Sequence, residues 1–344
     1  MDDKHKEQPI LETRNLSKSF YVGNAISRVQ IKAVQEANIQ LYRGRVTALV
    51  GECGSGNSTI IRMLARLYDP TSGEIWFKGK DVAPVKSRQG LLKYRSEVQM
   101  IFQDPFSSLN PVHKVRHHLE RPLQIHKKTR GKADLNAKVE ELLQRVSLVP
   151  TEEFAPKYPH QLSGGQRQRV AVARALAVEP EVILADEPVS MLDVSIRMGI
   201  LNLMAKLRDE NNIAFLYVTH DLASARYFAD DTLVMYAGYI VEKADSEDLV
   251  QDAKHPYTQL LLAAVPDPAR GLKTSEEIDA RGENPTFGAL GPGCPFASRC
   301  PHVMDKCRAA MPPVTTLSDS RWVRCYLYED AKPVAANTLR AAGD

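Results

Sequence analysis

The chain has no apolar run approaching the roughly 18 residues that cross a bilayer, so no membrane helix is expected. Its start, MDDKHKEQPI, lacks the apolar stretch of a secretory leader. A basic surplus is missing too: Lys plus Arg total 45 against Asp plus Glu 42, a formal charge of +3. That balance argues against a nucleic-acid partner, whose binding domains carry a concentrated basic face. Cysteine is scarce, with five in 344 residues, yet four of them crowd between positions 294 and 325. In the cytosolic setting that these absences suggest, such a cluster reads as metal ligands rather than disulfides. No internal repeat is present. What the chain does have is 43% hydrophobic residues, which excludes disorder as its main state and supplies core for about two domains.

Short β-type stretches alternate with turns over residues 1 to 50 and end in the buried-strand run Arg45 to Val50. From Ser58 the pattern turns helical, with Ile61, Leu64 and Tyr68 on one face and Asp69-Pro70 closing the helix. Residues about 90 to 180 read as largely helical, with His126 to Lys138 an exposed helix start or loop. Two more apolar strands follow, Val182 to Ala185 and Ala214 to Val218. Between them Ile196, Ile200, Leu203 and Leu207 form a core-facing helical stripe, so strand, helix and strand make a parallel crossover. The fold class is therefore α/β. A main domain over 1–265 is expected, then a Pro- and Gly-rich linker over 266–292, a four-cysteine module over 293–330 and a frayed tail over 331–344.

Residues 51 to 59 read GECGSGNST and lie between a strand and a helix, the setting a phosphate loop demands. Gly51, Gly54 and Gly56, with Ser55 among them, let backbone N–H groups turn inward around phosphate oxygens. The helix beginning near Ser58 adds the positive end of its dipole. Ser58 offers a hydroxyl ligand to Mg²⁺, and Thr59 completes the run. Lysine is lacking here. Asn57 stands where the pattern requires it, leaving a neutral amide with no net attraction for phosphate, at a cost of roughly 10²-fold or more in turnover.

Val182 to Glu187 is an apolar strand that delivers two adjacent carboxylates to its polar end. Asp186 suits a ligand of Mg²⁺, and Glu187 suits the general base that polarises an attacking water. The strand Tyr217 to His220 brings an imidazole to the same sheet edge, where parallel sheets bind ligands. A fourth strand, Met100 to Gln103, ends in a neutral amide able to hold metal or water.

Leu162 to Arg169 reads LSGGQRQR. Ser163, with the N–H groups of Gly164 and Gly165 at a helix start and Gln166 beside them, can cap a γ-phosphate. The motif is the signature of ATP-binding-cassette ATPases, which this sequence resembles over nearly its full length. The resemblance implies a RecA-like core with a β-subdomain and a helical subdomain at about 90–180, and two ATP sites at a head-to-tail dimer interface. It matches Gly51 to Thr59 to the Walker A loop except at Asn57, Gln103 to the Q-loop, and Asp186 and Glu187 to Walker B and its base. Ser190 to Asp193 match the D-loop, with Met191 where Ala is commoner, and His220 matches the switch histidine. Phe20 or Tyr21 is the candidate for stacking on adenine.

Phe102 to Pro111, Tyr158 to Ser163 and His255 to Leu260 resemble the oligopeptide/dipeptide importer branch, and in it the second, F-type ATPase subunit. That implies a peripheral protein on the cytoplasmic face of the membrane, paired with an unlike ATPase, two permeases and an extracytoplasmic solute-binding protein, with oligosaccharides as a related solute. A regulatory subunit without turnover, and a soluble cassette ATPase acting on nucleic acid, are the alternatives. Cys294, Cys300, Cys307 and Cys325 are spaced x5, x6 and x17, none of which is the tight knuckle of structural zinc sites. Neighbouring prolines suit an iron-sulfur cluster, and peptide-importer ATPases with this tail are similar in carrying a 4Fe-4S cluster. Zinc and unligated thiols remain the other readings, with His302 a spare ligand. Cys53, inside the phosphate loop, is taken as structural.

Overall fold

The computed structural model describes residues 8–24, 27–264 and 291–331. The expected tail from 332 onward and linker residues 266–290 lie outside them. Strands β1 (Leu11–Asn24), β2 (Ser27–Ala37), β3 (Gln40–Leu41), β5 (Ser72–Phe77) and β6 (Lys80–Asp81) form an antiparallel sheet in the order β2-β1-β5-β6, with β3 also paired to β1. The second sheet has eight strands: β4 (Val46–Val50), β7 (Val98–Ile101), β8 (Val182–Asp186), β9 (Ala214–Thr219), β10 (Asp231–Tyr236), β11 (Tyr239–Asp245), β12 (Thr315–Ser318) and β13 (Arg321–Val323). Its order is β12-β13-β11-β10-β4-β9-β8-β7.

Strands β10, β4, β9, β8 and β7 run parallel, and they read as near-continuous apolar runs because both faces are covered. Val46, Ala48, Ile183, Phe215 and Tyr217 pack on one side. Leu49, Val182, Leu184, Leu216 and Val218 pack on the other, with the helix Asn57–Leu64 and the antiparallel sheet. Register sets the site: Val50 pairs with Thr219, Asp186 with Val218, and Ile101 with Ala185. The loops that carry Asn57, His220, Glu187 and Gln103 therefore leave one edge of one sheet.

Ile61 and Leu64 are fully buried, as the spacing predicts. The helix nevertheless ends at Leu64 rather than at Asp69. Arg66 takes φ +55°, and its guanidinium donates to Val82 O and, at 3.2 Å, to Val85 O. The chain is thus tied to the next hairpin before proline can act. On the helix Val194–Asn211, Ile200, Leu203 and Leu207 are core, but Ile196 is 37% exposed. The stripe starts one turn later than expected, and Ile196 lies instead against Gly165 of the helix Gly164–Leu176. The helical stretch includes Val115–Ile125, Lys132–Arg145 and Gly164–Leu176, interrupted near its start by β7. No helix among the described residues is long and apolar enough to cross a membrane.

His118 is buried in the helical stretch, with Nε2 3.1 Å from Asn110 O. Burial holds its pKa below the usual histidine value; Arg174, His117 and His113 push the same way, while the Asn110 bond opposes them. With a depressed folded pKa, the unfolded chain takes the proton first as pH falls through about 6.5. The stabilisation is present above that value and is lost toward the folded pKa. The urea midpoint should therefore drop more between pH 8 and pH 6 in the parent than in His118→Asn; equal drops would remove His118 as the cause.

Candidate active site

The phosphate loop follows β4 without a break. Gly56 caps the helix Asn57–Leu64 at φ +109°, a conformation that side chains resist, and a Cβ there would meet Ala33 O at 2.3 Å. A Cβ on Gly51 would sit 2.3 Å from Met235 O. Ser55 closes the loop, its Oγ donating to Glu52 O at 2.7 Å. Asn57 does not reach outward. Its Nδ2 donates to Gly51 O at 3.4 Å, a weak bond, and its buried Oδ1 has no hydrogen-bond partner among the described residues.

Ser58 Oγ donates to Asp186 Oδ1 at 3.2 Å. That pairing joins the first turn of the helix to the end of β8 and leaves a hydroxyl and a carboxylate side by side, a donor set suited to Mg²⁺. Burial raises the Asp186 pKa, and the Ser58 bond partly offsets this. One residue on, Glu187 takes φ +44°, an arrangement costing on the order of 1–3 kcal/mol that clusters at functional sites. Its N–H stays in the sheet edge, donating to Val218 O at 3.0 Å. Gln103 Nε2 donates to Glu187 Oε2 at 3.1 Å, and His220 Nδ1 lies 3.2 Å from the same oxygen. Three loops far apart in sequence thus converge on one carboxylate oxygen.

Ser163 caps the helix Gly164–Leu176 through a reciprocal box: its Oγ accepts from Gln166 N at 3.2 Å, and Gln166 Oε1 accepts from Ser163 N at 3.0 Å. The box holds the tip rigid and exposed, with Gly165 buried beneath. No hydrogen bond joins Ser163 to the Walker groups among the described residues. Met191 is 57% exposed, and Asp193 caps the next helix with no side-chain bond to it. Of the two adenine candidates, Phe20 packs edge-on against Tyr68 with centroids 5.6 Å apart, whereas Tyr21 is 64% exposed. Cys53 is exposed.

The four C-terminal cysteines, with His302, line one small cavity. Burial raises the thiols of Cys294, Cys300 and Cys325, that of Cys294 to about 12, and each feels the charge of others in the group. Among the described residues, no three His, Cys, Asp or Glu are gathered to hold a metal ion, so neither the cluster nor the zinc reading has an assembled ligand set. The segment joins the cassette directly: β13 pairs with β11, and Phe296 is buried in the main core. Sequence reasoning missed Arg299, whose guanidinium grips Glu52 of the phosphate loop at 3.1 and 3.2 Å. The acid inside the loop was the one available signal, since such a charge beside a phosphate site requires a counter-ion.

A phosphate loop after one parallel strand, paired acids after the next but one, and a serine-capped LSGGQ helix together define an ABC-type nucleotide-binding cassette. Residues 34–190 match the family described as ABC transporter, and residues 241–307 match the oligopeptide/dipeptide transporter C-terminal region. The oligopeptide transport ATP-binding protein AppF of Bacillus subtilis is 41% identical over 94% of this chain and 98% of its own. The dipeptide transport ATP-binding protein DppF of Haemophilus influenzae is 39% identical over 95% and 99%. The dimeric post-hydrolysis structure of the ATP-binding cassette MJ0796 bound to ADP and Pi aligns with TM-score 0.61 and 30% identity, covering 69% of this chain and 98% of that one. For cbiO1 from Clostridium perfringens, part of the ABC transporter complex cbiONQ, the values are 0.62 and 27%, over 72% and 92%. The chain belongs to the ABC transporter family, in its oligopeptide/dipeptide branch, and its activity is ATP hydrolysis coupled to transport.

Proposed function

We propose that this chain is the ATP-binding subunit that energises import of oligopeptides or dipeptides, working from the cytoplasmic face of the membrane. It acts with an unlike second ATPase, two permeases and an extracytoplasmic solute-binding protein. The reading of peptide as cargo is carried by the match over residues 241–307 to the peptide-transporter C-terminal region, supported by the relatives' names. ATP lies along the loop Gly51 to Thr59, with Tyr21 against adenine; Ser58, Asp186 and Gln103 hold Mg²⁺. Glu187 takes the proton of the attacking water, and Gln103 and His220 fix the carboxylate in line. Ser163, Gly164, Gly165, Gln166 and Asp193 face the partner's ATP, so closure of the pair moves the permeases and hydrolysis resets them. The chain's own site turns over poorly because Asn57 supplies no cation.

Cys294, Cys300, Cys307 and Cys325 would hold a 4Fe-4S cluster, a reading supported by the four thiols lining one cavity. A bound cluster would cross-link the segment at four points.

Deleting the gene should abolish uptake of a labelled tripeptide, and the plasmid-borne gene should restore it. Intact peptide uptake with loss of a labelled oligosaccharide would overturn the peptide reading. Nucleic acid co-purifying with the protein in place of permeases would overturn the transporter role.

A further inference from the structure

The structure assigns Arg299 a positioning role at the phosphate loop, through Glu52. This residue follows Gly51 in the loop's first turn and is held from the C-terminal half of the chain at both its side chain and its backbone. The Arg299 fork donates to both carboxylate oxygens of Glu52, at 3.1 and 3.2 Å, and to Tyr236 Oη at 3.4 Å. The Glu52 N–H donates to Tyr257 Oη at 3.0 Å. Tyr236, Tyr257 and Phe296 pack as one aromatic group, with ring centroids 4.5 to 5.5 Å apart, and the guanidinium lies 5.7 and 5.8 Å from the Phe296 and Tyr236 rings. The Arg299 side chain is 9% exposed, that of Glu52 25%. A planar fork clamped between rings and a carboxylate has little freedom, and with Arg299 nearly buried the pair responds to loss of one partner.

Two consequences follow for nucleotide. The bidentate grip fixes the turn whose amides face phosphate, so its loss lets the loop spread over conformations that bind weakly. It also neutralises an acid beside an anion site, and this matters more here because Asn57 has replaced the loop's own cation. The residue next to Arg299 is Cys300 of the four-cysteine cavity, so that segment reaches the nucleotide site through Arg299 and, by way of the aromatic group, through Phe296. The inference concerns nucleotide affinity of the chain itself, and its failure would leave the transport reading untouched.

The test is binding of a fluorescent ATP analogue with Mg²⁺ to the purified full-length chain, with thermal melting measured alongside. Arg299→Ala should weaken binding roughly tenfold, and Arg299→Lys, which keeps the charge and loses the fork, by roughly threefold with unchanged melting. Removing the acid as well, in Arg299→Ala with Glu52→Gln, should bind no worse than Arg299→Ala alone, because the charge that needed neutralising is gone. In the assembled transporter the KM for ATP should rise while kcat stays within about twofold. Parent-like affinity in a folded Arg299→Ala, or a further loss in the double variant, would overturn the proposal. If Arg299→Ala does not fold, parent-like affinity in Arg299→Lys overturns it instead.

Discussion

Glu187→Gln is expected to reduce phosphate release from a site built on this chain's Walker groups by roughly 10²- to 10⁴-fold, the range ascribed to a positioned general base. The amide is isosteric and still fills the gap between Gln103 and His220, which both address Oε2. Binding should therefore survive while proton transfer fails. Parent-like phosphate release would remove Glu187 from the base role and leave its left-handed backbone without a catalytic reason.

Asn57→Lys should act in the opposite direction and raise single-turnover phosphate release by roughly 10²-fold, the worth of one transition-state donor. The present side chain turns back toward Gly51 O across 3.4 Å and leaves Oδ1 buried without a partner. Lysine would place an ammonium where the loop gathers phosphate charge, and it would remove that orphaned acceptor. The remaining groups are in place, from Ser58 on Asp186 to the convergence on Glu187. The readout is phosphate release by the assembled ATPase pair under single-turnover conditions. An unchanged rate would mean that this site contributes no rate-limiting chemistry.

Much of this arrangement is legible in local sequence because its requirements are local. A glycine-rich run between an apolar strand and a helix can do few things other than bind an anion. Serine followed three residues later by glutamine writes a capping box directly, and Ser163 and Gln166 form one. The strands β4, β8 and β9 are nearly continuous apolar runs because both faces of a parallel sheet are covered, so Val182–Asp186 and Ala214–Thr219 stand out in the chain. Errors arose where a local rule met a tertiary constraint. Proline at position 70 predicts the end of a helix that stops earlier, where Arg66 bonds the carbonyls of Val82 and Val85 at the next hairpin. Ile196 fits the apolar period, yet it lies beside Gly165 of the signature helix and stays 37% exposed.

The sequence by itself determined the α/β class, from the order of its strands and helices, and the placement of the glycine-rich loop with Asn57, the paired acids and the Ser163-capped helix, which depend on neighbours within a few positions. Tertiary structure alone decided which oxygen of Glu187 Gln103 and His220 share, which of Phe20 and Tyr21 remains exposed, and that Arg299 reaches back to Glu52. Those outcomes depend on strand register and on contacts between residues up to 247 positions apart. Periodicity carries no record of such distances, because any exposed arginine or glutamine satisfies the local pattern equally well.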